Sequence, residues 1–446
     1  MLNYIWLALV LLAVAIGGWT NHLKEVTDGA LDGAKTAVTI ALGLIGIMAL
    51  WLGVMRLAER AGLVQRIARV LRPVMRRLFP NVPAEHPAMG AMLMNMAANM
   101  LGLGNAATPL GLRAMRDLET LNPHPGVATN AMCTFLAINT SSVQLIPATA
   151  IAILAAAGST RPTAIVGTAL LATLCAASVA IIAVKLLEKL PIFQPRPEKA
   201  LSPNEQKPGA ENAKTAEETL LPESAQGPLP RWGIVALTAL ALCFALFFLR
   251  LVAPDFFGLA TPPELATQGA FVRSVNALSL LAIPFLLSFF PLYAAARRIK
   301  IYDEFVEGAK EGFNVMLRII PFLVTMLVAI GMFKGAGGID LITQALTPIL
   351  RPLHFPPELV PMALMRPLSG SGTLAILTSI VHQFGADNLL SLTAATIYGS
   401  TETTFYVAAV YFGSVGIRQT RHAVLAGLLA DLTGVIASVV ICRAVL

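Results

Sequence analysis

The sequence predicts an all-α polytopic membrane protein made of two inverted-topology repeats, each with a re-entrant helical hairpin and a broken transmembrane helix. Three observations predict it. Apolar residues make up 56% of the 446-residue chain and charged residues only 13%, about half the charged share of soluble domains. Several windows of about 20 residues are nearly free of charge, the length a bilayer-spanning helix requires. They are continuous rather than alternating, which argues against a barrel. Finally, short motifs recur in one order in both halves. Leu31–Lys35 (LDGAK), Leu71–Pro73 (LRP), Leu101–Asn105 (LGLGN) and Asn139–Ser142 (NTSS) are matched by Val306–Lys310 (VEGAK), Leu350–Pro352 (LRP), Leu368–Gly372 (LSGSG) and Ser400–Thr403 (STET).

At the start of the chain, residues 2–19 lack a basic start and a small-residue cleavage site, and Trp19 suits an interfacial anchor, so this is a retained first helix. A span over 36–55 precedes an amphipathic stretch, 56–79, in which Leu63, Ile67, Val70, Val74 and Leu78 interleave with arginines at helical spacing. That pattern suits a helix on the inner leaflet, bracing the hairpin next in the chain. Residues 87–118 are apolar but interrupted by glycine, and fit two half-helices meeting at a turn. Spans over 128–157, interrupted at Pro147, and 162–187 complete a first domain, 1–190. Residues 191–230, polar and rich in proline, form a flexible linker that cannot bury a core. The second domain, 231–446, has spans at 232–252, 271–296, 313–333, 391–413 and 422–445, with a second broken hairpin over 358–385.

Basic residues set the expected topology. Arg56, Arg60, Arg66, Arg69, Arg72, Arg76 and Arg77 place 56–77 in the cytoplasm, whereas the matching stretch 334–354 holds only Lys334 and Arg351. If both hairpins re-enter from the side they leave, the linker and the loops with Arg297, Arg298 and Lys300 and with Arg418 and Arg421 also lie inside. The loop 253–270, with Asp255 and Glu264 and no Lys or Arg, lies outside. The N-terminus is then cytoplasmic and the repeats are inverted, the architecture of alternating-access carriers.

Polar residues inside these spans are the candidate binding set. In the first hairpin they are Asn99, Asn105 and Thr108, with Asn95 as a further lining residue; in the second, Ser369, Ser371 and Thr373. Glycine lets backbone approach a ligand, and half-helix N-termini offer free N–H groups; close helix packing is the alternative reading. In the broken helices the set is Asn139, Thr140, Ser141, Ser142 and Gln144, and Ser400, Thr401, Glu402 and Thr403. Glu402 is a carboxyl at the centre of a span, where a charge costs about 2.5–3.5 kcal/mol. It is the ion-coupling candidate, for H⁺ or Na⁺, with a structural hydrogen bond as the alternative. Aligned by motif, Ser141 stands where Glu402 stands, so one repeat alone carries the carboxylate. Arg366 either pairs with Glu402, holds an anion or snorkels. Asp431 is a weaker candidate, lacking a repeat partner.

Other chemistries are not indicated. Cys133, Cys175, Cys243 and Cys442 stand singly in apolar segments, and the six histidines form no ligand pattern, so no metal or cofactor is expected. No nucleophile–base pair suggests an enzyme. The net charge of +7 is cytoplasmic-loop charge, without the basic, aromatic-interleaved pattern of nucleic-acid binding.

The first half resembles spore maturation protein A, through Asp32–Lys35, Met94–Gly111 and Asn139–Pro147. The second resembles spore maturation protein B, through Arg366–Gly372 and Tyr398–Tyr406. Both are similar to the nucleoside recognition, or Gate, domain superfamily. The resemblance implies kinship with concentrative nucleoside transporters, whose hairpins and unwound helices build the site. It implies a homo-oligomer, here a homodimer, in the bacterial inner membrane. The expected function is secondary transport of a small polar solute by alternating access; the alternative is a non-transporting membrane scaffold or assembly factor in envelope or spore maturation.

Overall fold

The computed structural model describes residues 2–102, 104–194, 229–257, 269–338, 341 and 355–446. Leu350–Pro352 and residues 195–228 of the expected linker lie outside the described residues. The first half contains α1 (Leu2–Trp19), α2 (Leu23–Arg60), α3 (Leu63–Leu78), α4 (Pro87–Met100), α5 (Gly104–Glu119), α6 (Asn130–Ser141), α7 (Ala148–Ala156) and α8 (Ile165–Leu187). The second contains α9 (Arg231–Val252), α10 (Ala270–Ala296), α11 (Ile301–Gly335), α12 (Val360–Met365), α13 (Gly370–Phe384), α14 (Leu389–Ser400), α15 (Thr404–Ser414) and α16 (Ala423–Val445). Among the described residues there is no strand, only an isolated bridge between Val127 and Gln419. Among the described residues, five helices are long and apolar enough to cross a membrane: α2, Pro162–Leu187, α9, α10 and α16. The chain is a multi-pass helical membrane protein.

Two spans are longer than the hydropathy pattern suggests. The expected 36–55 is part of a 38-residue helix and 313–333 part of a 35-residue one. The LDGAK and VEGAK motifs therefore lie on helices, and their glycines explain why. A Cβ at Gly33 would overlap the Leu327 carbonyl, and one at Gly308 the Leu52 carbonyl; Gly29 and Gly331 press on each other, and Gly335 presses on Glu25. The contacting pairs run in opposite directions, so α2 and α11 are antiparallel, at backbone-to-backbone distance. Without a hydrophobic drive between helices in lipid, such close approach of small residues is what holds them. At one end Arg56 meets Glu304 at 2.8 Å and Glu311 at 3.5 Å, and Arg60 meets Glu304 at 3.2 Å.

Gly62, in the left-handed region at φ 75°, turns the chain from α2 into α3. Val64, Ala68 and Met75 are buried, and α3 packs on α4, so it braces the first hairpin as its amphipathic pattern suggests. Val70 and Val74 point away from the protein, 75% and 51% exposed.

The expected spans 128–157 and 391–413 are each two helices. Thr129 starts α6 by accepting from the Met132 N–H, and Asn388 starts α14 through the Leu390 N–H. The loops after α7 and α13 are clamped together. Ser159 Oγ and the Thr160 N–H and Oγ donate to the Asp387 carboxylate at 2.5, 3.0 and 2.7 Å. The Ser159 bond first, then those from Thr160, hold this half-buried loop carboxyl down to about 2 from 3.8. Its folded-state value is the lower one, so the contribution is complete above pH 4 and is lost as pH falls through 2. Asp387→Asn should flatten thermal stability between pH 4 and 2, by less than about 1 kcal/mol because the site is solvated; an unchanged slope there would refute the clamp.

Candidate functional site

Four polar segments converge. The first hairpin turns after Met100 at Leu101 and Gly102, where Gly102 has φ +74° and a Cβ would sit 3.8 Å from the Ile146 carbonyl. The second turns at Arg366–Ser369, where Ser369 Oγ caps α13 by accepting from the Gly372 N–H at 3.0 Å. Each break hands one backbone N–H to the turn of its own half: Leu145 to the Met100 carbonyl and Phe405 to the Pro367 carbonyl, both at 3.0 Å. The two breaks then meet, the Glu402 N–H donating to the Thr140 carbonyl at 2.7 Å and Gln144 Nε2 to Glu402 Oε1 at 3.3 Å.

The breaks are real interruptions with their own supports. Ser142 has φ 30°, a left-handed conformation uncommon outside glycine. Unwinding frees carbonyls that lipid cannot satisfy. Thr173 Oγ1 on α8 donates to those of Ser141 and Ser142, at 2.9 and 3.1 Å. Backbone strain of this kind persists only where neighbours over-determine it, and it clusters at ligand and switch sites.

The expected residues divide by exposure. Thr140, Ser141, Thr373 and Ser400 are fully buried; Asn139, Ser142, Ser369, Thr401 and Thr403 are nearly so. Asn99, Thr108, Gln144, Ser371 and Glu402 are half-buried. Asn99 Nδ2 donates to Asn139 Oδ1 at 2.9 Å, and Gln144, next to the Leu145–Met100 tether, donates to Glu402. The side chain of Asn105 lies outside the described residues. Asn95 does not line the site; it is buried and ties the hairpin shut, donating to the Ala107 carbonyl at 2.7 Å.

The helix ends offer a second way to match the breaks. α6 and α14 are both 12 residues long and end at Ser141 and Ser400. Matched by helix ends rather than by motif, Ser141 corresponds to Ser400 and Val143 to Glu402. By either match one half alone carries the carboxylate.

Arg366 neither snorkels nor pairs with Glu402. It is 2% exposed, donates to the Tyr398 carbonyl at 3.1 Å and to Thr403 at 3.4 Å, and lies over the Tyr398 ring at 5.1 Å. Tyr411 on α15 is a site neighbour that sequence reasoning passed over. Its hydroxyl accepts from Asn95 at 3.3 Å and donates to Asn139 at 3.5 Å, and its ring stacks on Phe135 with centroids 5.9 Å apart. Only its place shortly beyond Thr403–Thr404 hinted at this. The cysteines are free, with Cys133 and Cys442 buried and Cys175 and Cys243 exposed.

Fold and site together define a polytopic helical membrane protein with paired broken helices and hairpin turns at one locus. Residues 41–189 and 316–418, more than half of the chain, match the family described as nucleoside recognition (Gate), and the chain belongs to that family. It is a membrane, transporter-like family rather than an enzyme family. Two Bacillus subtilis (strain 168) proteins are similar to parts of it. Spore maturation protein A is 45% identical over 182 residues, 41% of this chain and 93% of its own length. Spore maturation protein B is 44% identical over 167 residues, 37% of this chain and 94% of its own length. The pattern is consistent with a fusion of an A-like and a B-like protein.

Proposed function

We propose that this protein is a bacterial inner-membrane secondary carrier that moves a small polar solute by alternating access, coupled to H⁺ or Na⁺. The observation that carries the reading is the crossing of the two breaks at Thr140 and Glu402, with each break tethered to its own hairpin turn. Unwound backbone at membrane depth is tolerated only where it is buried in protein or lines a cavity. Helices of 12 residues, such as α6 and α14, span about 18 Å against a core of about 30 Å, which suits breaks near the midplane and hairpins that re-enter. Inverted repeats are supported by the antiparallel α2–α11 pair. Its contacts exchange halves: Gly33 meets Leu327 as Gly308 meets Leu52. The charge pattern supports a cytoplasmic N-terminus and linker, and a homodimer is the proposed assembly.

Asn99, Gln144 and Glu402 are the proposed solute contacts, and Glu402 the ion-coupling group. Nucleosides, amino acids and cell-wall metabolites are the solutes to screen, by ligand-induced thermal shift and then by uptake in vesicles. Glu402→Gln should abolish ion-driven uptake; transport at the wild-type rate with unchanged ion dependence would remove Glu402 from the mechanism. A membrane scaffold is the second reading, favoured by the dense packing of 139–142 and 400–403. It predicts no saturable uptake and function that survives Glu402→Ala.

A further inference from the structure

Asp431 is the only acid in α16 and is 3% exposed. It shares a helix face with Gly427, Gly434 and Ser438, spaced four, three and four residues apart. The two glycines let both breaks close onto this face. A Cβ at Gly427 would sit 3.0 Å from Thr404 Oγ1 and 3.3 Å from Thr140 Cγ2; one at Gly434 would sit 2.5 Å from Thr401 Cγ2 and 3.3 Å from Ser400 Oγ. Asp431 lies between those contacts, on the sealed side of the crossing, whereas Glu402 lies on the half-buried side.

Its hydrogen bonding is incomplete. Oδ2 accepts from Thr404 Oγ1 at 2.6 Å, while Oδ1 is buried without a partner. The hydroxyls of Thr140 and Thr401, one from each half, are also buried and unpartnered. The charged groups that bear on Asp431 are Arg366, already bonded to Tyr398 and Thr403, and Glu402. Helices α6, α14 and α15 carry no Asp, Glu, Lys or Arg; their titratable side chains are Cys133, Tyr398, Tyr406 and Tyr411. On α8 charge begins at Lys185, near His422, and on α10 it is Arg273 alone. A buried carboxylate with one hydroxyl donor and no counter-charge in contact is costly enough that it must be neutralised.

We propose that Asp431 is a monovalent-cation site distinct from Glu402, occupied by a proton on Oδ1 or by Na⁺ held between Oδ1 and the Thr140 and Thr401 hydroxyls. Because one hydroxyl comes from each break, an occupied site ties both breaks to α16. Its role in coupling rests on the carrier reading; its binding of a cation does not.

The test uses the purified full-length protein without solute. Thermal unfolding is followed as NaCl replaces choline chloride at fixed ionic strength, and carboxyl infrared difference spectra are taken across a pH series. A Na⁺-dependent stabilisation that Asp431→Asn abolishes supports the site with Na⁺ as its ion; a pH-dependent carboxyl band absent from Asp431→Asn supports it with the proton. Neither response in the wild type, or both retained in Asp431→Asn, overturns it. Should Asp431→Asn not fold, Thr140→Val and Thr401→Val keep the acid and should weaken the Na⁺ response several-fold. Thr404→Val should shift the carboxyl band by removing its donor. Unchanged behaviour in all three overturns the proposal. A cation response lost in Asp431→Asn, together with no uptake of any solute in vesicles, upholds this site and sinks the carrier reading.

Discussion

Gly33→Ala and Gly308→Ala should each destabilise the folded protein by about 1–3 kcal/mol, the usual penalty of overpacking. The added methyl meets a carbonyl of the facing helix, Leu327 for the first and Leu52 for the second. Backbone cannot rotate aside as a side chain can, so relief requires the two long helices to separate along their length. Separation costs the contacts that hold them in lipid, where no hydrophobic term replaces the lost packing. Gly46→Ala is the control: it lies on the same helix α2 with nothing within 4 Å of its Cβ. There the better helix propensity of alanine should leave stability equal or slightly higher. Denaturation in detergent micelles measures all three. Equal stabilities for Gly33→Ala, Gly46→Ala and wild type would mean that α2 and α11 do not touch at these positions.

Asn139→Ala should cost about 1–3 kcal/mol, the range for orphaning a buried polar partner. Asn139 Oδ1 accepts from Asn99 and Tyr411, and its Nδ2 donates to the Phe135 carbonyl at 2.9 Å. One amide thus joins the first hairpin, the first break and α15 of the second half. Tyr411→Phe removes one weaker member and should cost less. Because the two residues share a network, the double variant should be less destabilised than the sum of the singles. Strict additivity would show that Tyr411 and Asn139 act independently, and that the halves are not coupled here.

Much of this site is legible in sequence because lipid makes polarity conspicuous. Asn139–Ser142 and Ser400–Thr403 stand out as polar runs inside apolar spans, and the helix ends within each of them, after Ser141 and after Ser400. Ser369 and Gly102 announce turns through residue type. Contacts between distant segments are less legible. Asn95 carries the same side chain as Asn99, yet one closes a hairpin and the other faces the break; nothing local separates them. Tyr411 reads as an ordinary membrane residue, and Arg366 as one with several possible roles, until their partners, hundreds and tens of residues away, are known. Asp431 has no repeat counterpart to draw attention to it, and its importance comes from the two glycines beside it, which admit both breaks.

Sequence by itself determined the class of protein, the presence of two similar halves and the places where helices fail. Those depend on composition, charge and glycine, and on the cost of polar groups in hydrocarbon. Tertiary structure alone decided that LDGAK and VEGAK are helix-packing surfaces and that the breaks cross at Thr140 and Glu402. The reason is physical: a helix face or break acquires a role only from what packs against it, and packing partners lie beyond the reach of local periodicity.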